Sequence, residues 1–142
     1  MLDLAAMSAL LITKGEALEA HLVDAMQQAA QLVRQEAQDE IGVYQAGWVQ
    51  LADSTEQQKA RMGYSANAPL LATGQLKNSF EYNVSGLKAV IGSNDRTIKY
   101  HEFGTSKMPP RPVLLTSVTK KKNEIIELIG QHTANYLWAI TA

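Results

Sequence analysis

From Leu18 onward, apolar side chains recur at helical spacing: Leu18, Leu22, Ala25, Ala29, Leu32 and Val33. Glu19, Asp24, Gln27, Gln28, Gln31, Arg34 and Gln35 fill the gaps, so the pattern predicts one long amphipathic helix. Thr13 and Glu16 stand three residues apart as a capping box, and Gly42 offers a stop after Ile41, which places the helix over 13–42. Ahead of it, Leu4–Ile12 is apolar but too short to span a bilayer, and Asp3 rather than a basic cluster precedes it. Segment 1–12 is therefore expected to be helical and packed on the protein or on a neighbouring subunit. No later segment is long and apolar enough to cross a membrane, so no membrane partner is expected.

Over 43–78 the pattern breaks into loop and short helices. Trp48 and Leu51 precede "DSTEQQKARMG", a helix started by Asp53 or Ser54 and stopped by Gly63. "YSANAP" is loop chemistry, and "LLATGQLKNSF" starts a helical turn at Thr73. Region 79–104 reads as sheet. "SFEYNVSG" and "LKAVIGSND" alternate around a hairpin turn at Ser85-Gly86, and Gly92–Asp95 marks a second turn. "TIKYHEF" fits a third strand or a short helix capped by Thr97 equally well. A Pro-rich loop over 105–112 leads to a closing helix over 113–140. Its stripe is Val113, Leu114, Val118, Ile125, Ile129, Tyr136 and Leu137, with Pro112 in the first turn and the triple lysine on the wet side. The expected fold is one α+β domain over 1–142: a long N-terminal amphipathic helix, a small antiparallel sheet with short helices, and a C-terminal helix packed on the sheet.

Composition narrows the chemistry. The chain has 142 residues, 46% hydrophobic and 19% charged, which suits a folded domain with a modest core. It has no cysteine, which excludes disulfides, thiolate nucleophiles and Cys-ligated zinc. Net charge is −1, but it is unevenly spread. Residues 1–60 carry nine acidic and three basic side chains, a balance of −6. Over 96–122, Arg96, Lys99, Lys107, Arg111, Lys120, Lys121 and Lys122 face Glu102 alone, a balance of +6. Two such segments suit stacking of acidic on basic faces between copies, contact with a phosphate backbone, or simply two solvated faces.

His21, His101 and His132 are isolated, with no HxxxH or HExxH spacing, so no metal site is expected. His101-Glu102 suggests an acid–base pair, but adjacent residues diverge by about 100° on a helix and point to opposite faces of a strand. No phosphate-binding glycine loop or G-x-S-x-G elbow is present, and no cofactor is expected. Lys120, Lys121 and Lys122 could meet DNA, though without the interleaved aromatics that specific single-strand binding uses.

The order of landmarks carries more than any one of them. Trp48, Leu51 and Thr55 come first, then Leu70, Thr73, Gly74, Leu76 and Ser79, then Gly92 and Ser93. Tyr100, Phe103, Gly104, Thr105, Met108, Pro109, Arg111 and Pro112 complete the set. Across about residues 45–118 this series resembles the virion-morphogenesis proteins of long-tailed bacteriophages, the tail-completion and head–tail connector (neck) family. Val113 stands where that family often has Phe. The resemblance implies a non-enzymatic structural subunit of the virion, assembled in the host cytoplasm. It would form a ring of six copies, or twelve, between portal-side and tail-side proteins, with unspecific contact to DNA in the channel. A tail-tube terminator is the alternative within the virion. A small enzyme or nucleic-acid-binding protein using His101, Glu102 and the lysine run is the alternative outside it.

Tyr100, His101, Phe103, Thr105, Lys107, Met108, Pro109, Pro110 and Arg111 are then the candidate subunit interface. The prolines stiffen the loop before binding, Met108 is an adaptable contact, and Arg111 suits a carboxylate on a neighbour. The same string also reads as a stiff crossover between sheet and last helix. Gly74, Gly92 and Gly104 are expected at chain reversals.

Overall fold

The computed structural model describes residues 3–141, with the side chains of residues 140 and 141 left aside. Helix α1 spans Leu4–Glu40 without a break. Asp3 caps it, its Oδ1 accepting from the Ala6 amide at 2.6 Å. The expected start at Thr13 is thus corrected: Thr13 Oγ1 donates to the Ala9 carbonyl, as a hydroxyl does inside a helix. The apolar run before it is itself a good helix former with a cap of its own, so no new nucleus is needed. The stop falls where expected. Gly42 takes φ +96°, its amide donates to the Pro69 carbonyl at 2.8 Å, and a Cβ there would lie 3.0 Å from Leu71 Cδ2.

Helix α2 (Asp53–Arg61) places Asp53 and Glu56 in its first turn, against the positive end of the helix dipole. The short α3 (Gln75–Asn78) starts from Gly74 at φ +85°. Strands β1 (Phe80–Ser85) and β2 (Lys88–Ser93) form an antiparallel hairpin with Phe80 opposite Ser93 and Ser85 opposite Lys88. Gly92 sits inside β2 opposite Glu81, so its expected role as a turn is corrected. The ladder runs on to Ser93, and the reversal falls to Asp95. Its carboxylate accepts from the Thr97 amide at 2.9 Å and from the Thr97 hydroxyl at 2.7 Å.

Asp95 thereby starts α4 (Ile98–Phe103), which settles the ambiguous segment as helix and confines the sheet to two strands among the described residues. The last helix, α5 (Leu114–Thr141), begins after Pro112, not with it. Its cap comes from a residue far off in sequence: Glu102 Oε1 accepts from the Val113 and Leu114 amides at 2.6 and 2.5 Å.

Ala37, Ile41, Trp48, Leu76, Phe80 and Val113 form the buried core, with Leu114 and Ile98 packed against it. Through its first turn α5 shares this core with the start of β1; beyond that it runs antiparallel along α1. Ala25, Ala29 and Ala30 are buried on α1, small enough to let the two helix backbones approach. Lys120 meets Glu36 and Glu40 at one end of the pair, and Tyr136 Oη donates to the Lys14 carbonyl at 2.5 Å near the other. The inward face of α5 keeps most of the expected stripe, with Tyr136 buried and Leu114, Ile125 and Ile129 half-buried; it also takes in Ser117, whereas Val118 and Leu137 are exposed. Among the described residues no helix is long and apolar enough to cross a membrane.

Candidate functional site

The Pro-rich loop, the segment before α2 and the segment before α3 enclose a groove of about 510 Å³. Val49, Leu51, Leu70, Leu71, Met108 and Pro109 give it apolar walls, with Lys59, His101, Lys107 and Arg111 among them and no carboxylate in the lining. Residues of the landmark series from separate segments (Leu51, Thr55, Leu70, Met108, Pro109 and Arg111) therefore meet here, while Trp48 and Leu76 lie in the core beneath.

Arg111 is the centre of this arrangement, and its expected role is corrected. Its residue is 6% exposed. Nε and Nη2 donate to the Val49 carbonyl at 3.1 and 2.9 Å, and Nη2 to the Gln50 carbonyl at 3.3 Å. Its amide donates to the His101 carbonyl at 2.6 Å. A guanidinium held this way is not presented to a neighbour's carboxylate; it fastens the loop to the segment before α2. The reading of the string as a stiff crossover describes Arg111. Gly104 makes the bend possible. It takes φ +71°, and a Cβ there would come within 2.9 Å of the Met108 carbonyl oxygen and the Pro110 nitrogen. Thr105 and Met108 then close the loop as an isolated bridge.

The other candidate interface residues divide by exposure. Phe103 is 84% exposed, and Tyr100, Thr105, Lys107 and Pro110 are exposed as well. His101, Met108 and Pro109 are half-buried at the groove. Burial, and then the Arg111 charge, lower the His101 pKa and favour neutral imidazole, with Asp95 and Glu102 opposing. Its Nδ1 is buried without a partner. Glu102 turns Oε1 to capping α5.

Two of the three lysines expected to face DNA, Lys120 and Lys121, are instead paired with carboxylates of their own chain. Lys120 Nζ lies 3.2 Å from Glu36 Oε1 and 3.1 Å from Glu40 Oε1, and also donates to Gln45 Oε1. Lys121 Nζ lies 3.0 Å from Glu124 Oε1 and 3.7 Å from Glu36 Oε2. Lys122 alone of the three has no carboxylate within ion-pair distance among the described residues. Glu40 is 1% exposed, and burial raises its pKa to about 7 against the pull of Lys120.

Two of these features left no local signal: Glu102 as a remote cap, and Glu40 as a buried partner of Lys120. Only the +6 and −6 imbalance hinted that the basic and acidic segments would meet, and they meet within one chain. Among the described residues no cluster of three or more His, Cys, Asp or Glu could hold a metal. The fold and groove define an α+β module built on a long helix pair, with a loop pinned by an internal arginine. No protein-family model, curated protein sequence or solved structure matches this chain.

Proposed function

We propose that this chain is an assembly subunit of a phage or prophage neck, closing the junction of head and tail as a ring. The carrying observation is surface that one copy leaves uncovered. The accessible area is 9481 Å², whereas a compact monomer of 15.5 kDa exposes about 7,200 Å² by the usual scaling with mass. The excess of roughly 2,300 Å² is what two or three standard interfaces, at about 800 Å² per partner, would cover. A ring closed by heterologous contacts uses two such patches on every subunit. Phe103 and Tyr100 stand out from α4 within the segment that resembles the neck family, and they supply one of them.

Light scattering on the eluting protein is expected to give a mass near six or twelve times that of one chain. Phe103→Glu should keep its melting temperature within about 2 °C, because the side chain packs on little in its own chain. In a phage or prophage lacking the gene, that variant should leave heads and tails unjoined. A monomer at all concentrations, together with normal joining in the deletion, would sink the reading.

A further inference from the structure

Helix α5 turns a second apolar row away from α1. Leu115, Thr119, Lys122, Ile126, Gly130, Thr133 and Leu137 follow one another at spacings of 4, 3, 4, 4, 3 and 4 residues. At 100° per residue all seven fall within an arc of about 80°. Leu115 is 66% and Ile126 60% exposed, and the row lies on the side opposite buried Ser117. The spacing reads the same in both directions from Ile126, and so does most of the chemistry: Leu, Thr, Ile, Thr, Leu. A twofold axis through Ile126 would bring Leu115 against Leu137, Thr119 against Thr133, and Ile126 against its own counterpart.

The remaining pair is Lys122 against Gly130. Glycine inside a helix is destabilising relative to alanine, and at Gly130 nothing lies within 4 Å of where a Cβ would be. An antiparallel neighbour uses that space, because the Lys122 stem needs room to lie flat. Its ammonium would then reach the second copy's Glu127, one turn away, which suits a lysine without a carboxylate of its own. Both threonines are already satisfied within their helix: Thr119 Oγ1 donates to the Leu115 carbonyl at 2.8 Å and Thr133 Oγ1 to the Ile129 carbonyl at 2.9 Å. Covering the row therefore strands neither hydroxyl.

We infer that α5 pairs antiparallel with α5 of a second copy about a twofold axis at Ile126. A self-complementary row specifies a second copy of this chain as its occupant, since an isologous contact matches a patch to itself. The uncovered area leaves room for this contact beside those of a ring. The pairing goes beyond the neck reading and does not depend on it.

The chain has no cysteine, so a single introduced one reports the geometry. Under mild oxidation Ile126→Cys should convert most chains to a disulfide-linked dimer, because counterpart residues on the axis approach to about 6 Å between Cα atoms. Thr119→Cys, two turns from the axis and so about four turns (~21 Å) from its counterpart, should cross-link at least about tenfold more slowly. Ile126→Glu should halve the solution mass and leave the circular dichroism unchanged. Equal cross-linking at both positions, or none at 126 in a folded variant, overturns the pairing. So does binding of α5 to anionic phospholipid vesicles by a protein that does not cross-link, which would assign the row to a lipid surface. A hexamer that fails to cross-link would leave the ring standing without the pairing. A cross-linking dimer that forms no larger particle would do the reverse.

Discussion

The Arg111 guanidinium gives three hydrogen bonds to the carbonyls of Val49 and Gln50 and is nearly buried. Arg111→Met keeps much of the volume but leaves two carbonyls short of their donor. It should cost about 2–4 kcal/mol in a denaturant titration. Unchanged stability would mean that water replaces the guanidinium without penalty. Glu40 makes a pH-dependent prediction. Its pKa rises from 4.5 to about 7 on folding, so the native state binds the proton more tightly than the unfolded chain. Stability from this group is fully present below pH 4.5 and is lost as pH climbs through about 7. Glu40→Gln removes that loss and should be more stable than the parent at pH 8 by about 1–3 kcal/mol, with little difference at pH 4.5. Equal slopes of stability against pH in the two proteins would contradict the assignment.

At the scale of elements, the chain joins helices through caps that come from elsewhere. Glu102, on α4, accepts from the Val113 and Leu114 amides at the start of α5, so one carboxylate fixes the direction in which that helix departs. Glu102→Ala should cost about 1–2 kcal/mol, as loss of a good N-cap does. It should also speed amide exchange over the first turn of α5 more than over its middle. A uniform change along α5 would argue against a local cap. The ion pairs of Lys120 and Lys121 with Glu36 and Glu40 fix the register of α5 on α1. Their lysine ends are partly exposed, so they give little energy, and the Ala-rich seam lets the two helices pack closely.

For the whole molecule, the core is small and the two long helices extend well past it, which is why so much apolar surface stays open. The periodicity from Leu18 to Val33, the hairpin around Ser85-Gly86 and the glycines at 42, 63 and 104 made the α+β class legible, because each depends on spacing within one element. The start of α1 was misplaced since Thr13 and Glu16 satisfy a local motif, while the real cap, Asp3, lies beyond an apolar run. Arg111 was read as outward-facing because its neighbours in sequence are prolines, whereas its neighbours in space are the carbonyls of Val49 and Gln50. Val118 and Leu137 were placed on the inward face of α5 for a related reason: the helix carries two apolar rows, and periodicity alone cannot draw the border between them. The sequence by itself determined where helices, hairpin and bends form, because those follow from propensity and short-range spacing. Only the tertiary structure decided which charges are spent inside and which apolar row is left over, because that depends on how α5 docks along α1.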